Sequence, residues 1–285
     1  MKEERIGDAL LKKIREMAIR LFRRVITLYP SDVNVTRAYR FHGAEFRVFI
    51  SNEHEEWRWN EMVAGRKEPE TIEWIDTFMK PGEVFVDIGA CIGNYSLYAA
   101  ARHPGLKVYA FEPEPNSLIQ LVKNAHINNL PVACFMIPLA DGRRIDSFRS
   151  YPVYARAGGG EIGRHAFIAG ESNHQFGRTI SADGETFHPT VEIGMAGCAL
   201  DELIGSGVVP MPNHIKIDVD GLEGAILKGA RTVLSGKALQ SILCEISGKD
   251  ADVQATVALV KAAGFAVVRH PSGGAGNFIF RRETR

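Results

Sequence analysis

The chain has only four cysteines, Cys91, Cys134, Cys198 and Cys244, far apart and never arranged as CxxC. A disulfide framework or a cysteine zinc site needs closer spacing or more of them. The expectation is therefore four small buried thiols in a reducing cytoplasm. Net charge is also missing, since 34 Lys+Arg balance 34 Asp+Glu over 285 residues. That balance disfavours a basic nucleic-acid binder and an acidic disordered tail. No apolar run reaches the roughly 18 residues that cross a bilayer. Charges interrupt Met1–Arg24 too often for a secretory signal. Repeats and low-complexity tracts are absent as well.

What the chain does have is a composition of soluble globular type, 45% hydrophobic and 24% charged. Apolar positions Ile6, Leu10, Ile14, Met17, Leu21 and Val25 make a helical stripe over residues 3–28. Its other faces are rich in Lys and Arg, which suits packing on the body, self-association or a membrane surface. Residues 41–50 read as a short strand or hairpin, and TIEWIDTFM after Pro69 as a helix that Pro81–Gly82 ends. Trp57 and Trp59, two apart, suit one face of a strand, as packing or as an aromatic wall for a sugar.

From residue 84 onward apolar strands alternate with helices. Strands are expected at 84–88, 107–111, 132–137, 214–219 and 241–246, with helices after them, including one through Leu227 to Leu234. Residues 265–270 and 277–281 flank a PSGGAG turn and read as a closing antiparallel hairpin. This is an α/β pattern, a mostly parallel sheet covered on both faces. A polar, glycine-rich stretch from about Arg156 to Pro189 breaks the rhythm and reads as a lid or substrate-binding insertion. It contains His165, His174 and His188, none with metal-site spacing.

The sharpest local signal is Asp87-Ile88-Gly89-Ala90-Cys91-Ile92-Gly93-Asn94, a strand-to-helix turn whose glycines admit a ligand closely. A dinucleotide fingerprint would need glycine at 91, where cysteine stands, and a P-loop would need Gly-Lys-Ser/Thr. Glu112 follows the second strand, about 20 residues beyond the turn, where a carboxylate accepts both ribose hydroxyls. A helix-terminal charge is the alternative for Glu112. A nucleoside with a carboxylate-bearing tail instead of a pyrophosphate describes S-adenosylmethionine.

Three blocks, FVDIGACIGNYSLYAA (85–100), YAFEPEPNSLIQLVKNAHINN (109–129) and HIKIDVDGLEGAILKGARTVL (214–234), together with CEIS (244–247), resemble the FkbM family of S-adenosylmethionine-dependent methyltransferases. The third block is the most particular of them. The resemblance covers roughly residues 68–282. It implies a class I, Rossmann-like seven-stranded sheet with helices on both faces. The cofactor set it implies is Asp87, Gly89, Ala90, Gly93 and Asn94 around the methionine part, Glu112 on the ribose, and Ala140 and Asp141 near the adenine. Glu68, in an EPE-type segment, approaches the cofactor or caps a helix. Cys91 stands where the family often has Asn, and Asp220 where Glu is usual. Residues 1–67 then form an N-terminal helix with a short strand and helix cap, and 68–285 the catalytic domain.

Methyl transfer to a hydroxyl needs alignment of donor and acceptor and removal of a proton. Asp218, at a strand end on the carboxyl edge of the sheet, is the first candidate for the catalytic base. Asp220 and Glu223 follow it closely, so a divalent-ion site is one alternative and helix capping another. Lys216 points to the same side of its strand as Asp218 and is placed to tether Asp87. The expected activity is O-methylation of a sugar, glycolipid or secondary metabolite, with no metal assigned and no nucleic-acid partner. Alternatives are an N-methyltransferase, a polymer methyltransferase, or a non-catalytic cofactor-binding module. Charge is unevenly spread: residues 1–24 hold eight Lys/Arg against four Asp/Glu, residues 281–285 three against one, and the stretch between has six more acids than bases. An acidic body suits a small neutral acceptor, and the basic end leaves room for an anionic membrane or a partner.

Overall fold

The computed structural model describes residues 35–150, 156–157, 160–161, 174–178, 191–272 and 274–283. The helix expected over 3–28 and most of the 156–189 segment, with His165 and His188, lie outside the described residues. The His42–Gly43 turn has positive φ at both positions, 45° and 81°, which suits a two-residue hairpin. It joins β1 (Val35–Phe41) to β2 (Ala44–Ile50). Next come α1 (Glu53–Val63) and α2 (Pro69–Phe78), the latter starting on a proline that has no N–H to leave unpaired. The two tryptophans lie on α1, not on a strand. Residues two apart on a helix point about 200° away from each other, so Trp59 is buried while Trp57 is half exposed.

The sheet begins with β3 (Val84–Ile88), α3 (Asn94–Arg102), β4 (Lys107–Phe111), α4 (Pro115–Ile127) and β5 (Val132–Phe135). A three-stranded antiparallel sheet follows, in the order β10 (Val191–Gly197), β6 (Arg144–Ser150), β9 (His174–Phe176), with a small pair, β7 (Arg156–Ala157) and β8 (Gly160–Glu161). The chain then returns through α5 (Leu200–Gly205), β11 (His214–Ile217), α6 (Glu223–Lys228), α7 (Arg231–Ser235), β12 (Ser241–Ile246), α8 (Asp250–Ala262), β13 (Phe265–Arg269) and β14 (Gly276–Arg282). The main sheet has seven strands in the order β13-β14-β12-β11-β3-β4-β5. The five from β12 to β5 run parallel, and β14 is antiparallel to both its neighbours. This is the Rossmann-like arrangement that the family resemblance implies, with the closing hairpin at one edge.

Alternation along the strands assigns each residue to a face. Phe85, Leu243 and Ile279 pack with Trp59, Trp74 and Tyr98 on one side. Val86, Ile88, Ile215, Ile217 and Cys244 pack with Ile226, Leu227 and Val253 on the other. Each such fully buried side chain contributes roughly 1.5–3 kcal/mol, so the parity of the strands is firmly set. Arg37–Arg285 is one compact unit, in which the hairpin and α1 share the first of these cores. By the same parity Asp87, Lys216 and Glu245 lie on the face toward α2 and α3. At the opposite edge of that face, Trp74 Nε1 donates to Ser241 Oγ (3.0 Å), and buried His214 bridges Ser241 (2.7 Å) and Glu83 (3.0 Å). No described helix is long and apolar enough to cross a membrane.

Strands β6 and β10 flank the polar 156–189 stretch, and their seven-residue register is continuous from Val191↔Ser150 to Gly197↔Arg144. One expectation needs correction. The helix expected through Leu227 to Leu234 is two short helices. The break falls at Gly229, where a Cβ would sit 2.2 Å from the Ala140 carbonyl oxygen. The second helix is capped from outside, by the Asp201 carboxylate accepting from Thr232 N–H (2.8 Å) and Val233 N–H (3.0 Å). Gly229→Ala should therefore lower stability by about 1–3 kcal/mol. Urea unfolding reads this as a lower midpoint at unchanged slope, and an unshifted midpoint would contradict the close approach.

Candidate active site

The carboxyl edge of β3 turns sharply at Gly89, whose φ is 80°. Gly89 and Ala90 both donate their N–H to the Phe111 carbonyl (3.0 Å each), which draws the turn over the end of β4. A Cβ on Gly89 would lie 1.8 Å from the Asp218 carbonyl oxygen. Only glycine lets the two loop starts come this close. Cys91 follows at φ 52°, a left-handed conformation that costs a residue other than glycine energy and recurs at functional sites.

Glu112 ties this turn to the next strand. Its Oε2 accepts from Cys91 N–H (2.8 Å) and its Oε1 from Glu114 N–H (2.8 Å). Burial pushes its pKa up to about 7 even though both donors favour the ionised form. Glu114 caps α4 through Asn116 N–H (3.0 Å) and Ser117 N–H (2.6 Å), which accounts for one of the two acids in this segment.

Gly89, Cys91 and Glu112 line a cleft that Arg58, Asp218 and Asp220 also enter. One wall is apolar, with Phe111, Ile137, Leu139, Leu222 and Ile226. Phe148, His174 and Phe176 bring in the three-stranded sheet. That sheet is fastened to the loop after β11: Gln175 Nε2 donates to the Asp220 carbonyl (2.8 Å) and Arg178 Nη1 to the Gly221 carbonyl (2.6 Å). The fastened residue, Asp220, has φ 51°. Burial, then the charges of Asp218 and Glu223, push its carboxyl up to about 7.

Lys216 and Asp87 are register partners on adjacent parallel strands. The expected tether between them is not the hydrogen bond that forms. Lys216 reaches along its own strand, and its Nζ donates to Asp218 Oδ2 (2.7 Å) while lying 5.0 Å from the Tyr95 ring centroid. Burial works against both charges, but each holds the other: Lys216 is raised, and Asp218 lies well below the usual carboxylate range. Glu245, facing the Asp218 charge and hydrogen-bonded to it, is pushed up. Asp87 is buried, with Oδ2 accepting from Ser96 Oγ (2.6 Å) and Oδ1 unpartnered. Burial raises its pKa against the opposing pull of Lys216.

The sequence-derived residues divide accordingly. Gly89, Glu112 and Asp218 meet at the cleft. Asp87, Ala90 and Asn94 are buried and off the lining, and neither amide atom of Asn94 has a hydrogen-bond partner. Gly93 caps α3 with φ 90°. Ala140 and Asp141 are not in the lining, whereas Ile137, Pro138 and Leu139 just before them are. Ala140 instead donates its N–H to the Cys198 carbonyl (2.9 Å), and Asp141 sits 3.8 Å from Arg144. Glu68 is the N-cap residue of α2 and pairs with Lys67 (2.5 Å), off the lining but felt electrostatically by Tyr95 and Asp87. Glu223 accepts from Gly221 N–H (2.8 Å), within its own turn. Among the described residues no three His, Cys, Asp or Glu side chains converge as a metal site. Arg58 escapes the sequence reading: within HEEWRWNE it is one charge among several, and only the packing of α1 brings it to the cleft.

The model of the Methyltransferase FkbM domain matches residues 87–267. A 31-O-demethyl-FK506 methyltransferase, FkbM, of Streptomyces tacrolimicus is 25% identical, the match spanning 67% of this chain and 75% of that one. A hexuronic acid methyltransferase, AglP, of Haloferax volcanii is 26% identical over 72% of this chain and 71% of its own. Among solved structures, a methyltransferase FkbM from Methylobacillus flagellatus KT is similar at 13% identity and a TM-score of 0.46, covering 81% of this chain and 55% of that one. The domain match runs from Asp87 at the end of β3 to Val267 in β13, taking in both the glycine turn and the Lys216–Asp218 strand end, and the chain belongs to the FkbM family of methyltransferases.

Proposed function

We propose that the protein transfers a methyl group from S-adenosylmethionine to a hydroxyl of a sugar, glycolipid or secondary metabolite. The observation that carries the donor is Glu112, a buried carboxylate at the end of β4 that lines the cleft and is hydrogen-bonded to the glycine turn. The donor set fits such a ligand. Asp87 Oδ1 and both Asn94 amide atoms are buried polar groups with bonding capacity left over. The cleft also carries more buried carboxyls than it can ionise, since Glu112 and Asp220 are both held near 7. A cationic ligand relieves that excess. S-adenosylmethionine, when bound, supplies an electrophilic methyl group on a sulfonium.

The chain's own residues supply alignment and a place for a proton. Glu112 accepts from the ribose hydroxyls, and the Phe111–Leu139–Leu222 wall covers the apolar ring. Asp218 is a poor proton acceptor, because Lys216 holds it far below neutrality. Its charge serves the cationic end of the donor. Asp220 lines the same cleft, and a carboxyl near 7 is matched to accepting a hydroxyl proton at neutral pH. Two of the relatives are named for a 31-O-demethyl-FK506 and a hexuronic acid. Both names support a small-molecule or sugar acceptor for this chain.

Two tests follow. Glu112 accepts from both ribose hydroxyls best as a carboxylate, so donor affinity should fall as pH drops below about 7, by up to roughly tenfold per unit. Glu112→Gln should weaken binding about 10- to 100-fold and make this profile shallower. Calorimetry across pH 5.5–8 measures both, and an unchanged affinity would remove Glu112 from the ribose. Asp220→Asn should lower kcat by roughly 10²- to 10⁴-fold with donor affinity nearly intact. Asp218→Asn should weaken donor binding first. The reverse pattern in methyl-transfer kinetics would return the base to Asp218.

A further inference from the structure

We propose that Arg58 receives the carboxylate of the donor's amino-acid portion, so that α1, outside the family-matched segment 87–267, completes the donor site. The inference rests on the donor reading above and adds to it a residue outside the methyltransferase domain match. Among the described residues that line the cleft, Arg58 is the one Lys or Arg, and the other charged groups there are Glu112, Asp218 and Asp220. An amino-acid tail carries an ammonium and a carboxylate. The acids accommodate the ammonium and the sulfonium, but they repel the carboxylate, which needs a cation of its own.

The other cations nearby stand outside the lining. Lys216 donates to Asp218, Lys67 pairs with Glu68, and the Arg144 guanidinium stacks 5.2 Å from the Phe176 ring centroid. Arg58 shares the lining with Gly89 and Cys91, the turn against which the tail would lie. Although burial opposes its charge, neighbouring Cys91 and Asp218, with Tyr95 and Glu68, hold its pKa above the ordinary arginine value. The side chain is placed by a rigid element. Asn52 caps α1 through Glu55 N–H (2.8 Å), and Trp59 and Met62 are fully buried. A guanidinium fork held this way matches a carboxylate bidentately.

Calorimetric titration with S-adenosylmethionine and with its decarboxylated analogue, which keeps the sulfonium and ammonium, isolates this one contact. Arg58→Met, with its fold checked by thermal melting, should bind S-adenosylmethionine about 10- to 100-fold more weakly while binding the decarboxylated compound within about threefold of wild type. Arg58→Lys, which keeps the charge but loses the fork, should fall between. Equal losses for both compounds, or no loss for either, would overturn the role of Arg58 while leaving the donor reading intact. Wild-type protein that binds neither compound would overturn both.

Discussion

The ion pair between Lys216 and Asp218 is the interaction around which the carboxyl edge of the sheet is organised. Removing two charges from water is costly, and a buried pair recovers that cost only with good geometry and further hydrogen bonds. Here Asp218 gains both, from Lys216 at 2.7 Å and from Glu245. Lys216 in turn faces the Tyr95 ring and the Asp87 carboxyl across the strand register. Taking away one partner of such a pair typically costs 3–5 kcal/mol, because the other charge is left buried alone. The pair fixes where negative charge stands at the mouth of the sheet.

That fixed charge shapes its surroundings. Asp218 pushes Glu245 up and, with burial, raises Asp220, while burial alone does most of the work on Glu112. The result is an edge rich in carboxyls, beside one cleft-lining guanidinium among the described residues. Two of the non-glycine residues with positive φ, Cys91 and Asp220, stand at the same place. Both residues are held by neighbours, one by donating to Glu112 and the other through its carbonyl to Gln175. The three-stranded sheet is thereby coupled to the loop that carries the proposed base.

Much of this was legible in the sequence because buried parallel strands read as unbroken apolar runs. VFVDI and HIKI are each buried at every position, so their existence and type needed no tertiary information. The glycine turn and Glu112 were legible for a similar reason, since their spacing is set by one strand–helix–strand unit. What stayed hidden depends on partners distant in sequence. Gly229 breaks its helix against Ala140, and β6 pairs with β10 across more than forty residues. Lys216 pointed to the right side of its strand, but its choice of Asp218 over Asp87 depends on how far a lysine reaches. Ala140 and Asp141 carry no signal that separates them from Leu139, one residue nearer the cleft. Arg58 is a helix-surface charge until α1 packs.

The central claim is that this crowded acidic edge is built for a cationic methyl donor. It is tested most directly by titrating S-adenosylmethionine at pH 6.5 in buffers of different ionisation enthalpy. Because carboxyls held near 7 ionise when a cation arrives, binding should release protons. Absence of binding, or binding with proton uptake, would contradict the account.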